Sequence, residues 1–135
     1  MARVAAWVLA VVVAISATVA AHHSPAVFDR TKEVKLVGTV KAFRWQNPHT
    51  WLEVDVPGPK GKVETWGVEM TSPTYLVRAG WKNNSVKPGD KVSVKVHPVK
   101  EGDVKGGIFV SITLADGRTL TEKPARLGAG SDTTK

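Results

Sequence analysis

Cysteine is absent from all 135 residues. No disulfide can staple this chain, although an oxidising compartment would permit one, and no lipid-bearing N-terminal cysteine can be formed. Methionine is nearly as scarce, with Met1 and Met70 the only two, so a thioether-rich Cu(I) site has little to draw on. No serine sits in a Gly-x-Ser-x-Gly elbow, and no nucleophile and base form a recognisable pair. The expected product is therefore not an enzyme. Internal repeats are missing too, and apolar residues run long only once, at the N-terminus.

That run has the parts of a secretory signal peptide. Arg3 is its only charge, Val4 to Ile15 is apolar, and small residues from Ser16 to Ala21 close it. The rival reading is an uncleaved anchor, but the stretch is barely long enough to span a bilayer and its last third is Ala, Ser and Thr. The chain thus divides into a signal peptide at 1–21, a β domain at 22–120 and a polar, disordered tail at 121–135. A soluble periplasmic or secreted product is expected, with no stable membrane anchor after cleavage.

The net charge of +7 comes from 19 basic and 12 acidic residues. The lysines are spread along the chain and mostly alternate with apolar residues, which is the pattern of solvated strand faces. A nucleic-acid groove needs clustered cations interleaved with exposed aromatics, so no nucleic-acid partner is expected. Weak attraction to anionic surfaces is compatible with the charge.

Alternation marks the strands. Val34, Leu36, Val40 and Ala42 form one face of a long first strand, with Gly38 at its middle as a place to bulge or bend. Asn47-Pro48 makes a turn, 50–56 a second strand, 57–61 a loop and 62–70 a third strand. Ser72-Pro73 can start a short helix, with Ser72 as the cap, and Gly80 can end it. Lys87-Pro88-Gly89-Asp90 fits a type II turn. A fourth strand follows over 91–97, a fifth over 108–114, and Asp116-Gly117 turns a last hairpin toward Leu120. Five strands with a helix between the third and fourth describe an OB-fold-like Greek-key barrel, mainly β, with a two-sheet sandwich as the alternative.

His22-His23-Ser24, Phe28-Asp29, Gly38-Thr39-Val40, Asn47-Pro48-His49 with Trp51, Ser72-Pro73, Gly80-Trp81 and Pro88-Gly89-Asp90 together carry a resemblance. In this combination the chain is similar to a family of small exported bacterial proteins known as a domain of unknown function (number 6152). The resemblance implies export and this strand order, and no chemistry.

Histidine offers the one testable site. Cleavage after Ala21 would leave His22 first, where its α-amine and imidazole can chelate one ion. Cleavage after Ala20 would put His22 and His23 at positions two and three, a square-planar arrangement suited to Cu(II) or Ni(II). His49, in a turn beside Trp51, is the third candidate ligand, and Met70 a weaker one. The eight residues 22–29 reach about 3.3–3.6 Å each when extended, enough to cross the end of a small barrel toward His49. A lone histidine in a turn or at a terminus more often serves composition or local hydrogen bonding than metal. Trp51 shares its strand face with Glu53 and Asp55 and is the tryptophan to suspect of ligand contact, whereas Trp66, aligned with Val68 and Met70, reads as core. Three functions remain open: a non-enzymatic binding module for an exported protein, peptide or glycan; a copper-binding protein using His22, His23 and His49; and a small enzyme of unidentified chemistry.

Overall fold

A computed structural model describes residues 27–123. The expected leader, the histidines His22 and His23, and the tail beyond Lys123 lie outside the described residues. Six strands and one α-helix follow in order: β1 (Val34–Arg44), β2 (Trp51–Pro57), β3 (Val63–Glu69), α1 (Pro73–Arg78), β4 (Lys91–Pro98), β5 (Gly106–Leu114) and β6 (Thr119–Thr121).

Strand β1 is shared by two neighbours. Val34 to Thr39 pair antiparallel with β4, and Thr39 to Arg44 pair antiparallel with β2. Strand β2 pairs with β3, β3 runs parallel to β5, and β5 pairs with β4. This circuit closes a five-stranded barrel with a helix between β3 and β4, the arrangement of an OB-fold. The short β6 adds to the outer edge of β5 as the last hairpin.

Gly38 sits where β1 changes partners. A Cβ there would lie 2.2 Å from the carbonyl oxygen of Asp55 in β2, so only glycine lets the strands cross this closely. The break in register falls later than the sequence implies, between Val40 and Ala42. Gly38 is thus the close-approach point, and the bulge follows it.

The inward row of each strand meets in one core. Leu36 and Val40 from β1, Leu52 and Val54 from β2, Val68 from β3, Val92, Val94 and Val96 from β4, and Phe109 and Ile112 from β5 are all buried. Helix α1 plugs this core with Leu76. Trp81 follows it inward, edge-on to Phe109 with ring centroids 5.6 Å apart. The indole N–H of Trp81 donates to the carbonyl of Thr121 at 2.8 Å, fixing β6 to the barrel.

Local expectations are met with two adjustments. The 87–90 turn closes through Asp90 N–H to the Lys87 carbonyl at 3.1 Å, with Gly89 at φ +95° as a type II turn requires. Ser72 does precede α1, but its side chain makes no capping hydrogen bond. Its carbonyl instead accepts from Tyr75 and Leu76. Strand pairing also runs past residue 120, through Thr121.

Candidate functional site

The β1–β2 turn carries His49, and the end of β3 carries Glu69. The Nδ1 of His49 lies in hydrogen-bonding contact with Oε1 of Glu69, with the imidazole 36% exposed and the carboxylate 18%. The half-buried Glu69 therefore aims the ring. Its place is fixed from both sides, because Glu69 pairs with Trp51 on β2 and Ile108 on β5.

Glu122, just past β6, completes the cluster. Its Oε1 accepts from the backbone N–H of Thr71 at 2.6 Å, which ties the chain after β6 to the junction between β3 and α1. Burial pushes its carboxyl above the ordinary glutamate range; the Thr71 N–H and the His49 imidazole oppose this, and the charge of Glu69 adds to it. One imidazole and two carboxylates thus interact at one end of the barrel of a basic protein.

The described N-terminal segment packs along the end of β4. Phe28 bridges to Val99, and Asp29 N–H donates to the Pro98 carbonyl at 2.8 Å. His97 Nδ1 lies 2.8 Å from the Lys32 carbonyl oxygen and holds the turn that follows. Arg30 then lines, with His97 and Glu122, a cleft of about 500 Å³. Glu122 therefore feels the charge of His49 and shares a cleft with Arg30.

The candidate residues separate on these coordinates. His49 is at the barrel end, paired with a carboxylate. Met70 is 2% exposed and packed in the hydrophobic core, so its thioether is a packing group and not a companion donor for His49. Trp51 is half-buried and lies across Gly67, where a Cβ would sit 4.0 Å from its ring. The indole covers bare backbone on the neighbouring strand. Trp66 is partly buried against the core, as its alternation indicates, with the Lys105 ammonium 5.8 Å from its ring centroid. Sequence reasoning missed Glu69 and Glu122: the first is one more carboxylate of the third strand, and the second fell in the polar tail. Among the described residues, no three His, Asp or Glu side chains are set to hold a metal by themselves.

The model of the family of unknown function DUF6152 matches residues 9–109. The chain belongs to that family. Its membership carries no activity. No curated protein matches the chain. Among solved structures, mitochondrial single-stranded DNA binding protein Rim1 of S. cerevisiae is similar at 13% identity and a TM-score of 0.47, over 62% of this chain and 92% of that one. A selenomethionine-labelled crystal of the same yeast protein gives 11% and 0.48, over 62% and 93%. The OB-type architecture rests on the closed pairing circuit described above, and nothing about a ligand follows from likeness of this degree.

Proposed function

We propose that this domain is an exported, non-enzymatic binding module that takes a Cu(II)-class cation at the barrel end, with His49 as the ligand that the folded domain supplies. The observation that carries the reading is the carboxylate of Glu69 on Nδ1 of His49. Metal-binding imidazoles commonly give one nitrogen to a carboxylate, which fixes the tautomer and orientation and raises the basicity of the other nitrogen. Glu69 takes that supporting role here.

The remaining donors would come from the N-terminal segment. His22 or His23, with the α-amine exposed by cleavage, would add nitrogens, and nitrogen-rich sites suit Cu(II). Glu122 would supply nearby negative charge. The donor chemistry fits the ion: imidazole nitrogen and carboxylate are present, while soft sulfur, which Cu(I) prefers, is confined to the core at Met70.

A macromolecular partner is the second reading. The outward row of β2 and β3 carries Trp51, Glu53, Asp55 and Glu69, an aromatic ring among carboxylates. Arg44 pairs with Glu53 at 2.7 Å and Lys41 with Asp55 at 4.0 Å, so the row offers a half-buried ring among paired charges, a surface for a peptide or a glycan.

Copper titration separates these readings. The exported protein, its N-terminus fixed by mass spectrometry, should bind Cu(II) more tightly than a free peptide of its first eight residues. His49→Ala should remove that difference. Equal affinity of protein, peptide and variant would reduce the histidines to an ordinary chelating terminus.

A further inference from the structure

The opposite charge gathers on another face. Strands β1 and β4 pair with Lys35 opposite Lys95, Val37 opposite Ser93 and Thr39 opposite Lys91. Leu36, Val92 and Val94 between them point into the core, so this row faces outward. Like charges directly across a ladder are unfavourable. The compensation is thin: Lys95 reaches Glu33 only at 3.9 Å, with both side chains half-exposed. Lys91 spends one N–H on the Thr39 hydroxyl at 2.7 Å, a neutral partner that leaves its charge in place.

Apolar surface lies in the middle of these cations. Val37 is 59% exposed and Val63, at the start of β3, 67%. The two valines line one groove of about 460 Å³ with Pro57, Val92 and Lys91. Lys60 and Lys62, both exposed, flank Val63 on the loop before β3. Asp55 is the one acid in the groove, and it is already engaged by the Thr65 hydroxyl at 2.6 Å and by the Lys41 ammonium at 4.0 Å.

We infer that this face docks reversibly on an anionic phospholipid bilayer, with Lys35, Lys91 and Lys95 on the headgroups and Val37 and Val63 dipping into the interface. Charge complementarity selects an anionic partner. The exposed valines at the centre of the lysines select a bilayer over a polyanion in solution, because interfacial binding combines buried apolar area with attraction to anionic lipid. No anchor is involved: a few surface cations and two valines give weak, salt-sensitive association. The inference uses neither His49 nor copper, so it stands or falls apart from the reading of the barrel end.

Vesicle co-sedimentation of the exported protein, metal-free and with its N-terminus established, tests it. The protein should sediment with vesicles of phosphatidylcholine containing phosphatidylglycerol, stay in solution with phosphatidylcholine alone, and be released by high salt. Lys35→Gln, Lys91→Gln and Lys95→Gln together should lower partitioning on the order of a hundredfold. Val37→Ser with Val63→Ser should lower it at least about tenfold while leaving thermal unfolding close to wild type. No binding to anionic vesicles would overturn the proposal. So would binding that ignores the valines and is matched by heparin, which would make the face a polyanion surface. A concentration-dependent dimer that masks the face would assign it to a second copy instead.

Discussion

Gly38→Ala is the substitution on which the barrel depends most. The added methyl would sit 2.2 Å from the Asp55 carbonyl oxygen, 3.0 Å from its carbon and 3.1 Å from Cγ1 of Val54. Two of those three atoms are backbone and cannot rotate away. Nonbonded heavy atoms rest at about 3.5–4.0 Å, so β1 and β2 must part by more than ~1 Å at the crossing. Hydrogen bonds stretched that far are lost. Overpacking costs about 1–3 kcal/mol and each lost ladder bond about 0.5–1.5, which together give roughly 3–4 kcal/mol. Gly67→Ala is the control, because a Cβ on that strand glycine meets only the Trp51 ring, at an ordinary 4.0 Å. Urea unfolding followed by tryptophan fluorescence should show a large fall in midpoint for Gly38→Ala and less than about 1 kcal/mol for Gly67→Ala. Equal, small losses for both would refute the crossing geometry and with it the placement of β1 between two neighbours.

Three further outcomes follow from single contacts. Thr50 is fully buried, and its hydroxyl has no hydrogen-bond partner among the described residues; Thr50→Val should stabilise the domain by about 1 kcal/mol in the same urea assay, and a loss of stability would mean the hydroxyl is bonded. Trp81→Phe removes the indole N–H that holds Thr121; β6 amides should exchange with solvent markedly faster, at a cost of about 1–3 kcal/mol, and unchanged exchange would contradict the tie. Glu122 has a carboxyl raised by burial above the ordinary value of 4.5, so the folded state holds its proton more tightly than the unfolded one. That contribution is complete below the ordinary value and is lost as pH rises through the folded value. Glu122→Gln keeps an acceptor for Thr71, and it should flatten this decline in unfolding curves taken at acid to neutral pH; parallel curves for both proteins would contradict the raised value.

Periodicity made the fold legible. Alternating apolar residues in 34–42, 50–56 and 91–97 placed three strands, and Pro73 with Gly80 bracketed the helix. Gly38 was recognisable as special, but only the path of β2 across it shows that the reason is a carbonyl. Strand β6 was half visible: Asp116-Gly117 announced the turn, while Thr121 and Glu122 resemble any polar tail until Trp81 and Thr71 are seen to hold them. The candidate site was legible at His49 because a histidine after Asn-Pro stands out. Its partners were not, since Glu69 is brought to His49 by the β2–β3 register and Glu122 by the β5–β6 hairpin. Met70 was aligned with Val68 on the core side from the alternation, and it is buried there.

Pulsed electron paramagnetic resonance of the protein as its host produces it, loaded with one Cu(II), tests the central claim most directly, because it counts the imidazoles on the ion. The account predicts coupling to His49 together with at least one N-terminal histidine. His49→Ala should remove one imidazole from the spectrum, and Glu69→Gln should keep the imidazole count while weakening binding by about 10–100-fold. A spectrum of the loaded protein identical to that of the free N-terminal octapeptide, and unchanged by His49→Ala, would contradict it.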